Sequence, residues 1–164
     1  MKFNGVGMKS FFLKLYQYND WANRRVIDCL ARQHVSDIKI LKIFAHVVCA
    51  QQIWFNRING LPKSPLKLWG DYSLDEIKTI SEEASRNWLD FINREESFDR
   101  LLKYNNYVGD YYETNVQDLM AHLVNHGTYH RGQIAVLLRE SGFEPVNTDF
   151  VTYDRVISGQ LIEK

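Results

Sequence analysis

Apolar residues recur at three- and four-residue steps from Ser10 to about Gln33: Phe11, Phe12, Leu15, Tyr18, Trp21, Ala22, Ile27 and Leu30. That spacing predicts one amphipathic helix. Ser36-Asp37 can cap a second helix, which carries Ile40, Leu41, Phe44, Val47, Val48, Trp54, Phe55 and Ile58 and stops at Asn59-Gly60. The stretch Gly60 to Tyr72 holds two of the three prolines and two glycines, and reads as a loop. "SLDE" (Ser73 to Glu76) fits the capping-box pattern of a third helix, continued by Ile77, Ile80, Ala84, Trp88, Leu89 and Ile92. From Phe98 to Asn115 the pattern changes to alternating, Tyr-rich sequence with Gly109-Asp110 available for a turn, which predicts a short β-hairpin. Thr114 or Asn115 then caps a fourth helix running to Gly142, Glu144-Pro145 breaks the chain, and "TDFVTYDRVIS" predicts a last short helix. The expected fold is all-α: a four-helix bundle with a hairpin between helices 3 and 4 and a short C-terminal helix.

The 164 residues suit one domain, expected over 8–164 with residues 1–7 as an N-terminal tail; Met8 opens directly into helical pattern and is an alternative start. Twenty Lys+Arg balance twenty Asp+Glu, and no basic run stands out, which argues against nucleic acid as a partner. Two cysteines, Cys29 and Cys49, make no disulfide framework and suit a reducing, cytoplasmic setting. The N-terminus lacks the pattern of a secretory signal, and no unbroken apolar run approaches the roughly 18 residues of a membrane span.

Candidate chemistry concentrates in "AHLVNHGTYHRGQIAVLL" (Ala121 to Leu138), which holds three of the five histidines four residues apart. Residues four apart on a helix stack about 6 Å along its axis. Against the apolar stripe of Val116, Leu119, Met120, Leu123, Ile134, Leu137 and Leu138, His126 and His130 face inward together, while His122 falls at the border with solvent. Two imidazoles so spaced can converge on one cation, with a third ligand from another helix. His46, at the apolar edge of the second helix, is the natural candidate. The competing reading is plainer: partly buried helix histidines with satisfied nitrogens. His34 reads as surface, Cys49 as a buried inert thiol rather than a ligand, and Arg131 and Arg139 as solvated charges on the outer face of the fourth helix.

Two stretches, "YNDWANRRVIDCL" (Tyr18 to Leu30) and "NHGTYHRGQIAVLLR" (Asn125 to Arg139), resemble the DinB/YfiT superfamily of four-helix metalloproteins. "HVVCAQQIWFNRINGLP" and "TDFVTYDR" extend the resemblance from about Met8 to Arg155. It implies a divalent metal, zinc or nickel, held by His46, His126 and His130, with Gln51, His122, Asn125 and Tyr129 as neighbours able to orient ligands. Many relatives carry Asp or Glu where this chain has Gln51, and a neutral amide cannot act as a base near pH 7. The resemblance further implies a metal-dependent S-transferase using a low-molecular-weight thiol, with a metal-dependent hydrolase or a stress-linked metal- or small-ligand-binding protein as alternatives. A homodimer is expected, since relatives are often dimeric and the helical faces and Tyr-rich hairpin can pair two bundles.

Overall fold

A computed structural model describes residues 5–106 and 108–162. The elements are α1 (Gly5–Arg32), α2 (Ile38–Ile58), α3 (Leu74–Arg94), β1 (Leu101–Asn105), β2 (Tyr111–Asn115), α4 (Val116–Glu140) and α5 (Phe150–Ile157). The first helix begins at Gly5 rather than Ser10, because Met8 packs against the core one turn before Phe12 and carries the apolar stripe backwards. Of the tail expected over residues 1–7, residues 1–4 lie outside the described residues, as does Tyr107 in the expected hairpin.

The helix starts follow local chemistry. Asp37 accepts from the backbone of Lys39 and Ile40 at the start of α2. Ser73 and Glu76 form a reciprocal capping box on α3, and Asn115 accepts from the backbone N–H of Gln117 at the start of α4. Past the end of α4, Gly142 takes φ 81° and Phe143 N–H bonds back to the Leu138 carbonyl at 2.8 Å, a stop that favours glycine. The strands pair antiparallel with Tyr104 opposite Tyr112.

Both α1 and α2 pack on α3 and on α4, so α1 and α2 occupy opposite corners of the bundle. The core has two ends. One gathers Phe12, Tyr16, Phe55, Trp88, Phe91 and Met120; the other gathers Leu30, Ile40, Phe44, Ile77, Ile134 and Leu138. Residue numbers therefore rise from the first end to the second along α1 and α4, and the opposite way along α2 and α3. Because α2 and α3 run parallel, residues 59–73 must return the length of the bundle on its outside. That return strap and the α2–α4 adjacency set the site described below. Helix α2 is long and apolar enough to cross a membrane, with mean hydropathy 1.3 over an 18-residue window, but 67% of that window is buried inside the bundle, as a core helix requires.

Candidate metal centre

The packing of α2 on α4 brings His46 against His126 and His130. Their candidate donor atoms all lie within 4.8 Å of one another. His46 is only 7% exposed, and His126 and His130 are half-buried. The Nε2 atoms of His46 and His126 face each other at 2.9 Å. The outer nitrogens are partly committed: His46 Nδ1–H donates to the Leu68 carbonyl at 3.2 Å, and His130 Nδ1–H donates to Gln133 Oε1 at 2.7 Å. Each of those bonds fixes the tautomer and leaves Nε2 as the lone-pair atom. His126 Nδ1 is buried with no hydrogen-bond partner.

Burial favours the neutral form of His46 and His126. Desolvation first, then the neighbouring His130, His46 and His122, pushes His126 down to about 3. His46 is lowered by desolvation and by His130, against the opposing pull of its bond to Leu68. Three imidazoles converging within a few ångströms, with no carboxylate among the described residues lining the adjoining pocket, are a donor set for a borderline cation such as zinc or nickel. Such ions bond imidazole nitrogen at about 2.0–2.1 Å and so need donors this close.

The strap completes the site. Trp69, 51% exposed, lies flat on His46 with ring centroids 3.7 Å apart and planes 9° from parallel, and meets His130 edge-on at 6.4 Å. Beside the cluster opens a pocket of about 310 Å³ walled by α2, α4, the strap and the hairpin. His46, His122 and His126 line it together with Trp54, Tyr104 and Tyr112.

The other expected neighbours are placed as follows. His122 is exposed, with its ring 5.5 Å from that of His126, and Tyr129 is 65% exposed with its ring 5.1 Å from His130. Asn125 is exposed. Gln51 is buried; its backbone carbonyl accepts from Trp88 Nε1 of α3 at 3.0 Å, and its side-chain Nε2 has no partner. Among the described residues no hydrogen bond links Gln51, Asn125 or Tyr129 to the three histidines. Five residues beyond His46 is about 140° around a helix, which turns Gln51 away from the α4 side. The groups that hold the rings are instead Leu68, Trp69 and Gln133. Gln133 was within reach of sequence reasoning, since it lies one turn after His130; the strap residues left no signal. Cys49 stays a protonated thiol, raised to about 11 by burial.

Arg131 corrects an expectation: it is 2% exposed, not on the outer face. Nη1 donates to Asn19 Oδ1 and Asn23 Oδ1, both at 2.9 Å, and Nη2 donates to Tyr18 Oη at 3.3 Å and Thr128 Oγ1 at 3.2 Å. The Tyr18 ring lies 5.4 Å away, under the guanidinium. The motifs around Tyr18 to Asn23 and His130 to Gln133 thus meet through a buried guanidinium that joins α1 to α4, the helix that carries His126 and His130.

The sequence profile of the DinB family matches residues 8–160. The chain is similar to Protein DinB of Bacillus subtilis (strain 168), 27% identical over 163 residues spanning 89% of this chain and 95% of that one. It is also similar to Uncharacterized protein YizA of the same organism, 21% identical over 151 residues spanning 88% of this chain and 94% of that one.

Proposed function

The chain belongs to the DinB family, and from that premise we propose that it holds one divalent metal ion, zinc or nickel, on His46, His126 and His130 and transfers a small thiol to an electrophile. The observation that carries this reading is the convergence of three imidazoles, two of which, His46 and His126, line a pocket large enough for a small molecule. When bound, the ion supplies a Lewis-acid position that lowers the pKa of a coordinated thiol, and the thiolate is the reactive form. The chain's own residues do the rest. Leu68 and Gln133 fix the tautomers of His46 and His130, and Trp69 shields one face of the His46 ring from water. Trp54, Tyr104 and Tyr112 offer an aromatic surface against which an electrophile can lie. In the transfer itself, sulfur bonds to carbon, the leaving group departs with its electron pair, and the thiol proton passes to solvent.

S-transfer is favoured over hydrolysis by the makeup of the pocket. Among the described residues that line it there is no carboxylate, the usual general base for activating water, and Gln51 lies elsewhere. A thiol needs less help, because its pKa already lies near 8.5. The test is to load purified protein with Zn²⁺ or Ni²⁺ and offer glutathione, cysteine or another small thiol with chlorodinitrobenzene. Conjugation above the uncatalysed rate that a chelator abolishes is expected. Metal binding with no conjugation by any thiol would remove the transferase reading and leave a binding protein; ester hydrolysis in its place would favour the hydrolase.

A further inference from the structure

Arg57, on the last turn of α2, packs against two aromatic rings. Its Cζ lies 4.8 Å over Trp54 and 5.6 Å over Tyr104, and those two rings meet edge-on at 5.0 Å. Trp54 stands three residues before Arg57 on the same helix, while Tyr104 comes from the hairpin, so the guanidinium is positioned by two elements at once. A guanidinium packed against rings from two elements is held in place, and its planar N–H groups can meet a carboxylate or phosphate bidentately.

The position of Arg57 matters as much as its rigidity. It lines the pocket that contains His46 and His126, and also a second pocket of about 380 Å³ that contains Lys63. The two share Ile53, Arg57 and Asn106, so they adjoin as two lobes with Arg57 on their common wall. Among the described residues lining either lobe there are two cations and no carboxylate, in a protein whose formal net charge is zero. The described lining of the two lobes is therefore positively biased.

We propose that Arg57 is the anion-recognising residue of the two lobes, so that their small-molecule occupant carries an oxyanion, a carboxylate or a phosphate, at Arg57 while its reacting end faces the histidines. Lys63 in the outer lobe extends the preference to occupants with a second negative charge. The placement of the reacting end rests on the proposed metal function; the oxyanion site does not, and the experiment separates them.

Metal-free protein is titrated calorimetrically with succinate, with inorganic phosphate and with neutral succinamide. At least one of the two anions is expected to bind about tenfold or more tighter than succinamide, the gain of a charge-assisted hydrogen bond, and the tighter of the two identifies the oxyanion. Arg57→Gln abolishes that preference, Arg57→Lys restores part of it, and Lys78→Gln, exposed on α3 outside both lobes, leaves it unchanged. In zinc-loaded protein, mercaptosuccinate displays the same Arg57-dependent preference over 2-mercaptoethanol. Anions that bind no tighter than succinamide would overturn the proposal. So would an Arg57→Gln protein, folded by circular dichroism, that binds the anions as wild type does. Loss of metal binding with the Arg57-dependent preference intact would overturn only the metal reading.

Discussion

Gly127 stands next to His126 on α4 and faces α1. A Cβ added there would lie 2.8 Å from Asn19 Oδ1 and 2.9 Å from Arg131 Nη1, inside the buried guanidinium clamp. In an exposed helix interior, glycine to alanine stabilises by about 0.5–1 kcal/mol. Here Gly127→Ala is expected to destabilise by about 1–3 kcal/mol, because Asn19 is short and both polar groups are enclosed. Gly132 supplies the control: a Cβ there meets nothing within 4 Å, so Gly132→Ala is expected to stabilise. Urea unfolding of the two variants reads the difference directly, and equal effects would deny the clamp its role. The histidine pair was legible in the sequence because a four-residue repeat is local information. Arg131 was misread because its burial depends on Asn19, Asn23 and Tyr18, more than a hundred residues away, and no helical wheel contains them.

Element by element, the pattern of apolar positions and caps carried much of the fold. Ser73-Glu76 and Gly142 mark ends of α3 and α4 as their chemistry predicts, and the hairpin falls between the third and fourth helices. The strap over residues 59–73 was legible only as a loop. Its path follows from α2 and α3 running parallel, a property of the assembled bundle and not of the segment. Trp69 and the Leu68 carbonyl reach His46 through that path, so this part of the site could not be read in advance. Trp69→Ala is expected to leave the fold intact, since half the side chain is exposed, yet to weaken metal affinity about tenfold by freeing the His46 ring. Competition with a chromophoric chelator measures this, and an unchanged affinity would reduce Trp69 to a surface residue.

At the scale of the whole molecule, the lowered histidines link stability to pH. An unfolded histidine titrates near 6.5, whereas folded His126 titrates near 3. Between those values the unfolded chain binds the extra proton, so stability of the metal-free protein rises with pH through that window and levels off above about 6.5. His46, also lowered, acts in the same direction. Protons and metal compete for the same nitrogens, so added zinc is expected to raise the melting temperature at pH 7 and to do so progressively less as pH falls below 6. Thermal melts at several pH values, with and without zinc, check both slopes. Beneath all of this lies one claim: His46, His126 and His130 together hold a single divalent ion. Its most direct test is elemental analysis of zinc-loaded, dialysed protein alongside His46→Ala, His126→Ala, His130→Ala and His122→Ala. About one zinc per chain is predicted for wild type and His122→Ala, with little or none in the other three. Wild-type protein without zinc, or triad variants that retain it in full, would contradict the account.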